Sequence, residues 1–226
     1  MPSYARKHQL NRSLIYHVYS RGNMKLEIFY SEQDYLHFIR LLEEYSRSFE
    51  TKIYHWVLIP NHYHLLLELD NPENISAMMA GLNHAYTHYY HATYHTAGYL
   101  WQGRFKSQPV EKERYLITCG RYIERNPVRA GIVSEAHEYP YSSARFYCKG
   151  SSDGVTVEDP TFSEFGEDII KRRNSYTEFL RKFDTEEERS FRNFEYPLGS
   201  EEFRRGLLKV NGRYQPRRKG NIPFKH

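Results

Sequence analysis

Two neighbouring strand-like segments and the turn between them constrain the fold of this chain more than any other feature. Residues 52–59 are rich in β-branched and aromatic side chains, and residues 62–70 form a second apolar stretch. Pro60 and Asn61, which separate the two, are residues typical of turns. Since strands joined by so short a connection pair in antiparallel fashion, the sequence predicts a β-hairpin at residues 52–70.

The segments around this hairpin alternate between strand and helix patterns. Residues after Ser31 carry apolar side chains at helical spacing, and Asp34 follows this predicted N-cap by three positions. Pro127 and Gly131 are predicted to end the last helix. The order predicts an α+β fold with a largely antiparallel sheet. The predicted elements are strand 14–20, a helix after Ser31, strands 52–59 and 62–70, helix 74–94, a strand ending at Val110, and helix 111–126.

A pair of histidines begins the second strand of the hairpin. Side chains alternate between the two faces of a strand, so His62 and His64 share one face while Tyr63 points to the other. Their separation of roughly 6.5–7 Å along the strand allows both imidazoles to bind one ion. Two half-exposed histidines at a strand edge, without a metal, are the alternative at this point.

The predicted helix 111–126 carries two side chains that could complete such a site. Tyr122 and Asn126 lie one turn apart on the same helix face. A divalent ion held by the histidine pair and Asn126 would polarise a scissile phosphodiester, which the Tyr122 hydroxyl would then attack. Tyr122 is one of 21 tyrosines, and a structural role in the core is the alternative.

The composition favours a nucleic-acid-binding protein of the cytoplasm, associated with the nucleoid. The chain of 226 residues has a net charge of +4 and 16% aromatic residues, a mixture that stacks on bases and neutralises phosphates. No run approaches the ~18 apolar residues of a membrane span. The N-terminus lacks the apolar region of a secretion signal, and two cysteines are too few for a disulfide framework.

The last third of the chain differs in character. Residues 149–160 have the composition of a linker, and two helical stretches follow at about 165–183 and 200–210. From Phe203 onwards there are eight Lys or Arg and no Asp or Glu, which is typical of a tail that binds polyanions or merely aids solubility. We therefore expect a domain at 1–148 and, at 149–226, a linker with a mostly helical, basic C-terminal extension.

Four sequence blocks resemble one known family. PNHYHLLLE is followed about 58 residues later by RYIERNPVRAG, and YHVYSRGN and LWQGRFKS stand at the first strand and before the fourth. In this order they resemble the HUH single-tyrosine transposases. More narrowly, they resemble the transposase-like proteins associated with repetitive extragenic palindromes (REP) in bacteria. The resemblance covers residues 14 to about 147.

The resemblance implies an RRM-like, or ferredoxin-like, antiparallel sheet with helices packed on it. It implies Mn²⁺ or Mg²⁺ bound by His62, His64 and Asn126, with Tyr122 as the nucleophile. The substrate would be single-stranded DNA beside a hairpin, and cleavage would leave a 5′-phosphotyrosine and a free 3′-hydroxyl. Two alternatives share the fold: a nucleic-acid-binding module without catalysis, and a metal-dependent phosphodiesterase that uses water. A homodimer and a monomer are both compatible with the resemblance.

Several further side chains are candidates for DNA contacts. Trp101 could stack on a base, although packing at the sheet edge is the alternative. Gln102 and Arg104 could instead support the catalytic site. The complete candidate set for DNA binding is Trp101, Gln102, Arg104, Lys106, Arg121, Arg125, Arg129, Arg217 and Arg218.

Overall fold

The computed structural model describes residues 15–69, 74–112, 114–182, 185–192, 194, 196–210 and 213–216. Arg217 and Arg218 lie outside the described residues. None of the helices in the described ranges has the length and apolar character needed to cross a membrane. In chain order the elements are β1 (Ile15–Arg21), α1 (Glu32–Ser48), β2 (Thr51–Ile59), β3 (His62–Leu69), α2 (Ile75–Tyr94), β4 (Lys106–Val110), α3 (Arg114–Glu124), α4 (Asn126–Arg129), α5 (Ala144–Lys149), α6 (Ile169–Arg181), α7 (Thr185–Arg192), α8 (Glu201–Arg205), β5 (Leu207–Val210) and β6 (Arg213–Pro216).

Strands β1 to β4 form one antiparallel sheet in the order β2-β3-β1-β4. With α1 between β1 and β2, and α2 between β3 and β4, this is the ferredoxin-like arrangement, and it confirms the predicted fold class. The predicted hairpin is the pair β2–β3. In the register of the two central strands, Arg21 lies opposite His62 and Tyr19 opposite His64, so β3 starts beside the end of β1.

The alternation along β3 divides its side chains between two hydrophobic clusters. Tyr63, Leu65 and Leu67 are fully buried in a cluster formed with side chains of α1 and α2. Leu66 points to the opposite face and belongs to a second cluster, formed with side chains of α3. His62 and His64 share the face of Leu66 because they differ from it by an even number of residues. The histidine pair therefore lies on the side of the sheet that α3 covers.

A buried ionic cluster fixes α3 against the sheet. His55 of β2 lies between two carboxylates: its Nδ1 is 2.8 Å from Glu124 Oε1 of α3, and its Nε2 is 3.0 Å from Asp159 Oδ2. Burial alone would lower the pKa of His55, but the two carboxylates outweigh it and raise this pKa to about 9. Gly120 allows the close approach, since a Cβ there would stand 2.6 Å from the His55 ring.

The end of the third helix differs from the prediction. Helix α3 ends at Glu124, and the short α4 follows directly. Pro127 does not stop the helix, because it lies in the first turn of α4, where no backbone N–H is needed. The helical path ends instead just before Gly131, which has a φ of 71° in the left-handed region.

The region beyond residue 148 packs against both hydrophobic clusters. Residues 149–160, expected to form a linker, include the buried Val155 of the first cluster. Phe191 of α7 and Leu198 belong to the second cluster. These residues place part of the C-terminal extension next to α3.

The structure corrects the prediction for residues 200–210. They form not one helix but α8 followed by strand β5, which pairs with β6 in an antiparallel hairpin. A short apolar run such as Leu207–Val210 is compatible with either structure by its periodicity. Pairing with residues further along the chain, which periodicity does not reveal, decides for the strand.

Candidate active site

His62 is held by its neighbour in the sequence. Its Nδ1 lies 2.6 Å from Asn61 Oδ1, and Asn61 Nδ2 in turn donates to the Lys25 carbonyl at 3.3 Å. Because a carboxamide oxygen only accepts, His62 carries its hydrogen on Nδ1 and keeps a lone pair on Nε2. Burial lowers the pKa of His62 to about 4, against an opposing hydrogen bond with Asn126.

His64 is held by a third histidine that the sequence did not reveal. His17 of β1 places Nε2 2.8 Å from His64 Nδ1, and the two rings stack with centroids 5.0 Å apart. On the other side of His17, Gln108 Nε2 of β4 is 3.4 Å from Nδ1. Burial, followed by the nearby positive charges, keeps the pKa of His64 well below its ordinary value. A neutral imidazole is the form that binds metals.

Tyr122 stands with its ring edge towards the histidines. Its ring centroid is 5.7 Å from that of His64 and 5.8 Å from that of His17. The side chain is only 4% exposed, and it packs against Phe191 of α7 with centroids 5.3 Å apart. The structure thus brings the predicted nucleophile and the histidine pair together, across the interface between α3 and the sheet.

Asn126 lies one turn beyond Tyr122 and is held at both ends of its carboxamide. Its Nδ2 donates to the carbonyls of Tyr122 and Ile123 at 3.0 and 3.1 Å. Its Oδ1 accepts a hydrogen bond from Arg129 Nη2. The oxygen is therefore oriented away from the helix backbone, and the contact with His62 places Asn126 beside the histidine pair.

Arg129 belongs to the site rather than to the outer surface. Its guanidinium lies over the Tyr122 ring at 4.6 Å from the centroid, and Nη1 is 3.6 Å from Glu188 Oε2 of α7. Burial raises the pKa of Tyr122 above its ordinary value, while the charge and hydrogen bonding of Arg129 act in the opposite direction. Arg129 favours the phenolate form of Tyr122.

An aromatic side chain from the C-terminal extension covers the histidine face. The Phe194 ring lies 4.7 Å from His17, 5.4 Å from Tyr19 and 6.4 Å from His64, measured between centroids. Nothing in the local sequence around Phe194 indicated this position, because the contact joins segments more than a hundred residues apart in sequence.

Two of the other arginines predicted to bind DNA fasten α3 to the C-terminal helices. Arg121 places its guanidinium 4.2 Å from the centre of the Phe179 ring of α6. Arg125 donates to the carbonyl of Leu180 at 2.5 Å and lies 3.9 Å from Glu188. Their contacts in this structure are with protein groups, and their part in DNA binding stays a prediction.

The remaining predicted DNA contacts lie around the start of β4. Trp101 is half-buried, and its Nε1 donates to the Asn83 carbonyl at 3.1 Å and to Thr87 Oγ1 at 2.9 Å, as expected for packing. Gln102 is exposed and accepts two hydrogen bonds from Arg21 at 3.0 and 2.8 Å. Arg104 and Lys106 are exposed.

The donor atoms fit a divalent metal ion. Among the described residues, no group of three or more His, Cys, Asp and Glu side chains could hold one, so a site at the histidine pair would use a third donor of another type. The amide oxygen of Asn126 supplies that type beside the imidazoles of His62 and His64. Imidazole suits the later transition metals and amide oxygen suits Mg²⁺ and Mn²⁺, so Mn²⁺ is the ion of this group that best matches the mixed set.

Comparison with known proteins identifies the family. Residues 11–126 match the family model described as "Transposase IS200 like", and this chain belongs to that family of transposases. A putative REP-associated tyrosine transposase of Haemophilus influenzae is 30% identical over 97 residues, covering 38% of this chain and 54% of that protein. The match thus spans about half the length of this curated relative.

A solved structure shares the fold. It is entitled "Structure of the REP associates tyrosine transposase bound to a REP hairpin" and superposes with a TM-score of 0.54 at 20% identity. The match covers 70% of this chain and 93% of the other. These findings confirm the family resemblance and the fold.

Proposed function

We propose that this chain cleaves and rejoins single-stranded DNA through a covalent phosphotyrosine, with Tyr122 as the nucleophile. The observation that carries the proposal is the position of Tyr122, whose ring lies 5.7 Å from His64 while Asn126 follows one turn later on the helical path. A nucleophile, two imidazoles and an amide oxygen are the groups that a metal-dependent phosphodiester transfer requires.

The chemical step follows from these positions. Tyr122 loses its proton to solvent, with Arg129 favouring the phenolate, and its oxygen attacks the phosphorus. The bond from phosphorus to the 3′-oxygen breaks, and that oxygen takes up a proton as a free 3′-hydroxyl. A divalent ion bound by His62, His64 and Asn126 would stabilise the charge that develops on the phosphate oxygens. Attack by another 3′-hydroxyl on the phosphotyrosine reverses the step and joins strands.

The surface beside His62 suits a DNA strand. Arg21 pairs with His62 in the sheet, and Lys106 pairs with Tyr19, so both basic side chains start from backbone next to the site. Tyr99, on the loop between α2 and β4, is 90% exposed and offers a ring for base stacking. By analogy with the REP hairpin named in the related structure, we infer hairpin or palindromic DNA as the substrate.

The test uses single-stranded hairpin DNA labelled at its 3′ end, because the proposed linkage joins the protein to the 5′-phosphate of the 3′ fragment. Wild-type protein with Mn²⁺ should form an adduct that survives SDS, and chelation should prevent it. Tyr122→Phe should abolish the adduct, whereas Tyr115→Phe, a matched change on the same helix, should retain it. An adduct from Tyr122→Phe would disprove the assignment of the nucleophile.

The same assay separates the two alternative functions. Cleavage without an adduct, surviving Tyr122→Phe, would indicate a phosphodiesterase that uses water. Hairpin binding without cleavage in the presence of any divalent ion would indicate a binding module. With the label on the 5′ end of the same DNA, the assay detects the released fragment that ends in a 3′-hydroxyl. Its gradual appearance would show slow cleavage, and its absence would show that no cleavage occurs.

A further inference from the structure

Gln108 of β4 contributes one of the buried side-chain atoms near the site that have no hydrogen-bond partner among the described residues. Gln108 is 2% exposed, and its Oε1 is unpaired while its Nε2 lies 3.4 Å from His17 Nδ1. A buried carbonyl oxygen without a partner is unfavourable. Half a turn about the last side-chain bond exchanges the two ends of the carboxamide, and Oε1 then faces His17 Nδ1 as an acceptor.

The orientation of this amide determines which nitrogen of His64 is free. If Gln108 Oε1 accepts from His17 Nδ1, the lone pair of His17 is on Nε2. His17 Nε2 then accepts from His64 Nδ1 across the 2.8 Å contact, and His64 keeps a lone pair on Nε2. If Gln108 donates instead, every hydrogen bond reverses, and the hydrogen of His64 moves to Nε2.

His62 provides an independent reference for the direction. Asn61 fixes it with the hydrogen on Nδ1, and Asn61 itself is oriented by the Lys25 carbonyl. Only one orientation of Gln108 gives His64 the same tautomer, with Nε2 free on both histidines. In that orientation Oε1 gains His17 as a partner, and Nε2 takes the position that Oε1 held before. Because His17 occupies Nδ1 of His64, a shared ion can bind His64 only through Nε2, and this requires the orientation in which Gln108 accepts from His17.

We propose that Gln108 and His17 are positioning residues that hold His64 in the tautomer with hydrogen on Nδ1, leaving Nε2 free to bind a divalent metal ion. The hydrogen-bond chain runs across three strands, from β4 through β1 to β3. Both the role of His64 as a metal ligand and the choice of its tautomer rest on the proposed function, but the tautomer is measured without the metal. Outer partners of this kind orient a ligating imidazole and set its free nitrogen.

The tautomer is measured directly by ¹⁵N NMR of the imidazoles in the metal-free 226-residue protein near neutral pH. We expect His17 and His64 to carry hydrogen on Nδ1 and His62 to do the same. Signals are assigned by comparing His17→Gln, His62→Asn and His64→Asn variants with the wild type. Hydrogen on Nε2 of His64 would overturn the proposal.

Metal affinity gives the second measurement, by titration calorimetry with Mn²⁺. His17→Phe keeps a ring but removes the acceptor, and it should weaken Mn²⁺ binding about tenfold or more, the effect typical of losing such a partner. His17→Gln places an amide oxygen near the position of Nε2 and should bind Mn²⁺ more tightly than His17→Phe. Equal Mn²⁺ affinity in wild type and His17→Phe would overturn the proposal.

Two controls keep the proposal falsifiable. Gln108→Leu removes the other end of the chain and should also weaken Mn²⁺ binding, and it serves as the test if His17→Phe fails to fold. Thermal unfolding and metal-free hairpin binding separate lost affinity from lost structure. A wild-type protein that binds no Mn²⁺, yet has hydrogen on Nδ1 of His64, would refute the metal part of the proposed function while supporting the hydrogen-bond chain.

Discussion

Replacing His55 by leucine tests what holds α3 over the sheet. The change leaves Glu124 and Asp159 as buried carboxylates without a counter-charge, although Ser143 Oγ and Tyr176 still donate to Glu124 at 2.6 and 2.9 Å. Removing one member of a buried ion pair costs about 3–5 kcal/mol of the free energy of unfolding. For a chain of this size, each kcal/mol lowers the melting temperature by about 2–4 °C, which gives a decrease of about 6–20 °C.

The pKa of His55 provides a second route to the same magnitude. Its rise from 6.5 to about 9 corresponds to about 3 kcal/mol of stabilisation. Because the folded-state pKa is raised, this stabilisation is fully present below pH 6.5 and is lost as the pH rises through about 9. The pKa of Asp159 is lowered from 3.8, so its contribution is present above pH 3.8 and is lost on acidification. The imidazole of His55 also stacks on the rings of Tyr147 and Tyr176, with centroids 4.7 and 6.5 Å apart.

Urea denaturation followed by circular dichroism, at pH values from about 6 to 10, measures both effects. Wild-type protein should lose stability over the upper part of this range, and His55→Leu should lose less of it. Adding Glu124→Gln and Asp159→Asn to His55→Leu should recover part of the loss, because no carboxylate then remains buried and unpaired. His88→Ala, on the exposed face of α2, is the matched control. If His55→Leu lowers the free energy of unfolding by less than about 1 kcal/mol, the reasoning is refuted, because removing one partner of a buried ion pair costs more than that.

Three further predictions concern the site, the DNA surface and α1. Arg129→Lys keeps the positive charge but loses the planar guanidinium that contacts both Tyr122 and Asn126, and adduct formation should slow about tenfold. Arg129→Met loses the charge as well as these contacts, and adduct formation should slow about 10²-fold. If both variants react at the wild-type rate, Arg129 has no part in the chemistry. Arg104→Ala and Lys106→Ala should each lower the slope of log K against log salt concentration for hairpin binding by the amount expected for about one phosphate contact. Fluorescence anisotropy measures the binding constants, and an unchanged slope would contradict contact with phosphates. Ser31→Ala should cost about 1 kcal/mol of the free energy of unfolding in urea, because it removes the hydroxyl half of the capping box while the Ser31 N–H still donates to Asp34. No loss would show that the hydroxyl is dispensable.

The sequence predicted the elements whose evidence is local. Alternation along β3 placed Tyr63 in the core and the two histidines on the opposite face, because successive strand side chains cannot share a face. The capping box at Ser31 and the turn at Pro60 likewise depend on neighbouring residues alone. The same geometry put Tyr122 and Asn126 on one side of the helical path.

Contacts between distant segments could not be predicted in this way. His17 and His64 are 47 positions apart, and their hydrogen bond depends on the register of β1 against β3. Periodicity gives the face of a residue but not its partner on the next strand. Arg129 shows the same limit, since its contacts with Tyr122 and Asn126 do not follow from its charge or its place in the sequence.

The C-terminal extension has a larger part in the site than its linker-like start suggested. Glu188 contacts Arg129, Phe191 packs on Tyr122, and Phe194 covers His17. Asp159 completes the ion cluster that holds α3. A fragment ending near residue 150 would therefore expose Tyr122 and leave His55 with one carboxylate fewer. Because these contacts surround the proposed nucleophile, the geometry proposed for catalysis depends on residues beyond 150, and activity assays should use the whole 226-residue chain.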